Sequence, residues 1–362
     1  MLYSLLSNLF ADIALFRYIT FRSAMAAITA LTVTFFFGRQ IIYLITKLKI
    51  TESIRKDGPQ THLVKQGTPS MGGIIIILSI LSGVLLWADL KNPFIQVMIL
   101  STLGFFLLGF TDDIIKLTDK KGVLPLYKIL FQFVIAGGIC LFMMKSGNYS
   151  NLNTFTNLLF IKNLMIDLSI FFLPFVITVI IGTTNSVNIT DGLDGLAAGL
   201  LAIAFSVFAV IIYISGNRVF SGYLNMMYIP GIGELTLFIM CSAAASLGFL
   251  WYNSHPAEIF MGDTGSLTLG GILGTAAVLS KQEVLLFVAG GVFVLEALSS
   301  MLQTSYFKLT KRVTGSGKRI FRMAPLHHHF EQMGLKETKI VARFYILGVI
   351  FGILALSTLK IR

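Results

Sequence analysis

The sequence predicts an all-α integral membrane protein of about ten transmembrane helices, with both termini periplasmic and the working face cytoplasmic. Three observations predict it. Hydrophobic residues make up 55% of the 362-residue chain and charged ones only 12%, about half the charged share of a soluble domain. With a mean hydropathy of +0.83, a soluble fold has nowhere to bury the apolar surface. Lys and Arg, finally, are unevenly spread along the chain. Disorder is excluded by the same apolar content. A disulfide scaffold is excluded by a cysteine count of two, and Cys140 and Cys241 lie in apolar runs, where they act as small hydrophobes.

The elements follow in order. Residues 1–22 lack a basic leader and an A-x-A site, so they do not read as a cleavable signal. Leu2, Leu5, Leu6, Leu9, Ile13 and Phe16 fall on one helical stripe, which predicts a short interfacial helix. Ten apolar stretches follow, most of them near the ~20 residues a membrane helix needs: 23–46, 71–88, 93–111, 129–144, 168–190, 195–217, 235–257, 264–280, 284–307 and 344–359. Eight carry no charge; Arg39 interrupts the first and Glu296 the ninth. Each is too long for a barrel strand, and period-two alternation is absent. All ten belong to one membrane domain spanning 1–362. The excursion 146–163, rich in Gly and Asn, has room for a hairpin.

Orientation follows from the loops. Those after odd-numbered spans, counted with the adjoining span end that carries His255, hold 18 of the 28 Lys and Arg, all five His and 11 of the 17 carboxylates. These loops are therefore cytoplasmic. Contact with anionic lipid accounts for the bases, but not for the acids and His among them. A net charge of +11 with carboxylates on the basic face suggests a multi-anionic substrate and a divalent cation. No nucleic-acid partner is expected.

Four motifs on that face carry chemistry. Asp112 and Asp113 are expected to end the third span, where the helix dipole and their mutual repulsion call for a cation or for Lys116 and Lys128. Asn185, Asn188, Asp191 and Asp194 recur every third residue. On an unbroken helix they would drift to opposite faces, so a break at Gly192 and Gly195 is expected to let them converge on one pocket. In the segment 253–266, Asp263 either caps the eighth helix or holds Mg2+ against a phosphate. Phe260 offers a face for stacking a base. His327, His328 and His329 are adjacent and point apart, which disfavours one shared metal and favours hydrogen bonds to phosphate or sugar. His62, Lys65 and Thr68 add a donor-rich turn before the second span. No P-loop, dinucleotide fingerprint or H-E-x-x-H is present.

Together GTPSMGG (67–73), Asp112-Asp113, NSVNITDGLDGL (185–196), FMGDTGSL (260–267) and MAPLHHHFE (323–331) closely resemble the phospho-N-acetylmuramoyl-pentapeptide transferases, the MraY family of polyprenyl-phosphate sugar-1-phosphate transferases. The resemblance runs from about Phe21 to Arg362. It implies a ten-helix enzyme of the bacterial inner membrane, commonly a homodimer. The enzyme would move phospho-MurNAc-pentapeptide from its UDP carrier onto undecaprenyl phosphate, with Mg2+, giving lipid I and UMP. By motif match, Asp263 would hold Mg2+, and Asp112 and Asp113 would lie beside the lipid phosphate. Lys65, Asn188, Gly192, Leu193, Asp194, Asn253, Phe260, Met261 and Gln303 would form the nucleotide pocket. Asp191 and the triple His, with His327 as a catalytic group, would face phosphates and sugar. Thr68, Lys128 and Gly262 complete the expected substrate contacts.

Two rivals share parts of this pattern. A transporter of an anionic metabolite would share the spans, but should place ionisable groups near the midplane and show inverted repeats; no such repeat is present. A transferase using UDP-GlcNAc would share the chemistry but not the triple His.

Overall fold

The computed structural model of the chain describes residues 14–51, 65, 67–119, 122–149, 153–157 and 165–361. In chain order its elements are α1 (Ile19–Lys47), α2 (Gly73–Trp87), α3 (Pro93–Asp119), α4 (Pro125–Lys145), β1 (Phe155–Asn157), β2 (Met165–Asp167), α5 (Phe172–Thr190), α6 (Leu196–Ser215), α7 (Arg218–Tyr223), α8 (Glu234–Asn253), α9 (Gly262–Leu279), α10 (Glu283–Ala289), α11 (Gly291–Thr314), α12 (Leu326–Gln332) and α13 (Glu337–Ile361). Every apolar stretch read from the sequence is helical. Among the described residues, seven helices are long and apolar enough to cross a membrane: α1, α3, α4, α5 with the turn before it, α6, α8 and α13. The bent pair α10–α11 makes an eighth if counted as one span.

The difference from ten has physical causes. α2 is only 15 residues long. α9 is diluted by Gly, Ser and Thr because it is the central helix, buried from Thr264 to Leu279. Its small residues let neighbours approach closely. A Cβ on Gly73 of α2 would lie 2.2 Å from the Gly265 backbone nitrogen, and one on Gly271 would lie 2.2 Å from the Phe105 ring of α3. The ninth stretch was expected to be continuous, but it breaks at Gly290 with a bend of 86°. There the ring of Phe351 from α13 occupies the space beside Gly291.

The expected interfacial helix over 1–22 lies mostly outside the described residues. Ala14–Arg17 forms one 3-10 turn and α1 begins at Ile19. The Gly/Asn-rich excursion supplies one strand of a pair whose other strand lies just beyond it: β1 pairs antiparallel with β2, Thr156 opposite Ile166. Thr156 Oγ1 donates to the buried Glu283 at the start of α10 (3.0 Å), which ties the hairpin to the bundle.

Successive long helices alternate in direction. The ends of α3, α5 and α8 therefore meet the starts of α4, α6, α9 and α13 at one end of the bundle. Lys128 reaches Asp263, Gly195 reaches Asn253, and Lys65 reaches Glu337 across 272 residues of sequence. The loops that share the excess of acids, bases and His thus come together in space.

Candidate active site

Asp112 and Asp113 do not end a helix. With no breaker before Gly122, α3 continues to Asp119, and the two carboxylates sit on its wall, Asp112 fully buried and Asp113 7% exposed. A solvated helix end is thereby excluded. The neighbours divide them. Asp113 caps α9 from outside: Oδ2 accepts the backbone N–H and hydroxyl of Thr264 (2.8 and 2.6 Å), and Oδ1 accepts the N–H of Asp263 (3.2 Å). These donors are the free N–H groups of a helix N-terminus, where a carboxylate is favoured. Gly262 makes the approach possible. Its φ is +71°, and a Cβ there would lie 2.6 Å from Asp113 Oδ2. Asp263 therefore does not cap its own helix.

Asp112 faces the lysines. Its Oδ1 accepts the N–H of Val123 (2.7 Å), while Oδ2 pairs with Lys116 (2.8 Å) and Lys128 (2.7 Å). The same two ammoniums pair with Asp263, at 3.1 Å from Lys116 and 2.8 Å from Lys128. Asn188, in the last turn of α5, donates to Asp263 Oδ1 (3.0 Å) and Ser266 Oγ (2.9 Å). Oxygens of Asp112, Asp113 and Asp263 all lie within 4.8 Å of one another. Among the described residues, the three carboxylates outnumber the two ammoniums by one. Hard oxygen donors at this spacing with surplus negative charge suit a small divalent cation such as Mg2+, whose other ligands are commonly water and phosphate.

A second cluster forms where α5 gives way to α6. The expected break is present: the helix stops at Thr190, and Gly195 takes a φ of +78° before α6 starts. The expected convergence is not. Because α5 persists to Thr190, Asn185 turns to Gln132 (2.9 Å) and Asn188 to Asp263, while Asp194 reaches the second cluster. Lys65 Nζ lies 2.7 Å from Asp194 Oδ1 and 2.6 Å from Glu337 Oε1. His255 Nδ1 lies 2.9 Å from Asp194 Oδ2 and 3.5 Å from Glu337. Asp194, His255 and Glu337 also have metal-ligand spacing, but Lys65 already supplies the positive charge between the two carboxylates. A cavity of about 790 Å3 opens here, walled by Lys65, Thr68, Asp194, Phe260, Lys336 and Glu337 among others.

Several expected pocket residues also brace the local backbone. Asn253, 3% exposed, accepts the N–H of Gly195 (3.1 Å) and donates to Ile259 O (2.8 Å), bracing the break. Met261 is fully buried against Gly265, and Leu193 is 4% exposed. Gln303 lies elsewhere. It accepts the N–H groups of Ile320 and Phe321 (2.9 and 3.0 Å) and borders a separate cavity of about 380 Å3 with Lys308 and Arg319. The amides of Asn253 and Gln303 are thus bonded to backbone groups. His62 lies outside the described residues.

The triple His occupies α12; the rings of His327 and His328 meet edge-on, 4.2 Å between centroids, rather than pointing apart, but the three take different partners. His328 Nδ1 faces Glu331 (2.7 Å), and His329 Nδ1 accepts the N–H of Arg322 (3.1 Å). His327 is wholly buried against Glu296 and Gly192. Glu296, Glu337 and His255 are polar partners that sequence reasoning did not place in the site. A lone carboxylate inside an apolar span was the available signal for Glu296. Glu337 offered none beyond its position at a helix start.

Comparisons with known proteins bear on the family. Residues 95–281 match the family model described as Glycosyl transferase family 4, and residues 65–77 match the phospho-N-acetylmuramoyl-pentapeptide-transferase signature 1. The chain is 52% identical over 366 aligned positions to the phospho-N-acetylmuramoyl-pentapeptide-transferase of Thermodesulfovibrio yellowstonii, covering 100% of this chain and 99% of that protein. It is 49% identical to the enzymes of that name from Citrifermentans bemidjiense and Geobacter sp. strain M21, with 100% of each chain covered.

Proposed function

The chain belongs to the phospho-N-acetylmuramoyl-pentapeptide-transferase family, within the family 4 glycosyl transferases, and on that premise we propose that it makes lipid I. It moves phospho-MurNAc-pentapeptide from UDP-MurNAc-pentapeptide to undecaprenyl phosphate and releases UMP. The observation that carries this reading is one charge-surplus carboxylate and lysine cluster joined, through Asn188 and the α5–α6 break, to a cavity holding Lys65, Asp194 and Phe260. A cation-supported phosphoryl site beside a pocket for a planar base is what a UDP-sugar donor requires.

The residues divide the task. In the cavity, Phe260 supplies a flat apolar face for the base, while Lys65 and Asp194 supply a donor and an acceptor beside it. At the cluster, an oxygen of the lipid phosphate attacks the sugar-bearing phosphorus and UMP leaves. Both reactants are anions, so Lys116 and Lys128 neutralise and orient them. Asp263, with Asp112 beside it, would hold Mg2+, which supplies charge neutralisation and polarisation of a phosphoryl oxygen when bound. A phosphate monoester has its second pKa near ~6, so the acceptor is already largely ionised at neutral pH and needs no strong base. Asp112 accordingly acts by position, holding both lysines at the reacting groups.

The same reading places the ten spans in the bacterial inner membrane, with the clustered end in the cytoplasm, and carries a homodimer. Single cysteines at Ser150 and Asn217 should react with impermeant thiol reagents from outside the cell. Those at Ser254 and Ser316 should not. The reverse pattern would put the site on the wrong side for a cytoplasmic nucleotide sugar. The function itself is tested by offering purified protein UDP-MurNAc-pentapeptide or UDP-GlcNAc with polyprenyl phosphate and Mg2+, and following UMP. Release with UDP-GlcNAc alone would overturn the substrate assignment; release with neither would overturn the reaction.

A further inference from the structure

Glu296 stands in the second turn of α11, in the apolar run Val292–Leu298, and is fully buried. A carboxylate in such a place is costly unless both oxygens are satisfied. Here both are given to one residue. Oε1 accepts the backbone N–H of His327 (3.2 Å), and Oε2 lies 3.1 Å from His327 Nδ1. His327 is itself fully buried, and its other ring nitrogen, Nε2, has no partner among the described residues. That nitrogen presses on the α5–α6 break: a Cβ built on Gly192 would lie 2.3 Å from it. Gly192 sits between Asp191 and Asp194, in the strip that joins the carboxylate cluster to the cavity.

We propose that Glu296 is the positioning residue of His327, and that it makes Nε2 the nitrogen that meets the phosphate-sugar part of the substrate. A carboxylate can only accept, so Nδ1 beside it carries the ring proton. Nε2 is then the atom left for substrate, and the second Glu296 oxygen fixes the backbone of the same residue so that the ring cannot turn away. Gly192 leaves room for it. The arrangement is that of a base oriented by a buried acid on its far nitrogen, built here across 31 residues of sequence. This inference rests on the reading that His327 touches substrate, and the experiment separates the two.

Glu296→Gln keeps size and shape but offers one acceptor and one amide donor where two acceptors are needed. Either the His327 N–H loses its partner or the ring adopts the other tautomer. The expected result is a fall in kcat of about a hundredfold or more, the scale of a misset tautomer, with KM for the UDP-sugar changed less than about threefold. The thermal midpoint should stay within a few degrees of wild type. His327→Gln should also lose activity, and the double variant should be no worse than His327→Gln alone, since both act through one nitrogen. If His327→Gln is fully active, the reading of His327 fails. If His327→Gln is impaired while Glu296→Gln is not, or the two losses multiply, or Glu296→Gln loses activity only along with its stability, the positioning role is overturned. Should Glu296→Gln not fold, Glu296→Asp keeps both acceptors but withdraws them by one methylene. It must then lower kcat while sparing KM, and unchanged kcat would overturn the proposal.

Discussion

Asp263→Asn lowers turnover by at least tens of fold, and what remains requires far more Mg2+ than the wild-type enzyme. The expectation comes from charge and position. Asp263 shares Lys116 and Lys128 with Asp112, and among the described residues the cluster's three carboxylates outnumber its two ammoniums, a surplus of one negative charge. Asn removes that surplus while preserving shape, so the cluster no longer attracts a dication. Charge stabilisation in phosphoryl transfer is worth several kcal/mol, and each ~1.4 kcal/mol is about tenfold in rate. Stability should hardly change, because Lys116 and Lys128 are partly exposed, with side-chain exposures of 32% and 22%, and remain solvated. UMP release followed across a Mg2+ titration decides the matter. Near-wild-type turnover at limiting Mg2+ would remove Asp263 as the metal ligand. EDTA should abolish wild-type activity, and added Mg2+ should restore it.

How far the sequence could be read depended on the range of the interaction. Apolar runs of membrane length report directly on helices, so all ten stretches proved helical, and the charge bias gathered the correct loops at one end. The break at Gly290 was hidden because Gly-Gly within an apolar run is compatible with a straight helix; the ring of Phe351, far along the chain, fills the bend. That Asp112, Asp113, Asn188, Asp194 and Asp263 gather at one end of the bundle was legible from their type and setting. Their division of labour was not. The three-residue spacing from Asn185 to Asp194 suggested one pocket, yet two of the four belong to a helix that continues, and each meets a partner from another span. Glu337 and Glu296 acquire meaning only from Lys65 and His327, which no local pattern announces.

The division between the two adjacent aspartates gives the second large effect: Asp113→Asn loses both activity and stability, unlike Asp263→Asn. Asp113 is 7% exposed and accepts from three donors at the start of α9: the N–H groups of Asp263 and Thr264 and the Thr264 hydroxyl. Asn has one acceptor oxygen, and its amide would turn a donor toward donors. Hydrogen bonds to a charged acceptor contribute about 1.5–3 kcal/mol each, and a carboxylate at a helix N-terminus about 0.3–1 more. Losing part of this set should cost about 2–4 kcal/mol and lower the thermal midpoint in detergent by several degrees. Activity should fall at least tenfold, because the same bonds aim Asp263 at the lysines. Thr264→Val, which removes one donor and leaves the carboxylate, should fall between wild type and Asp113→Asn in both measurements. An Asp113→Asn protein that unfolds at the wild-type temperature while inactive would overturn the capping role. Asp113 would then belong with Asp112 among the groups that serve the reacting phosphates.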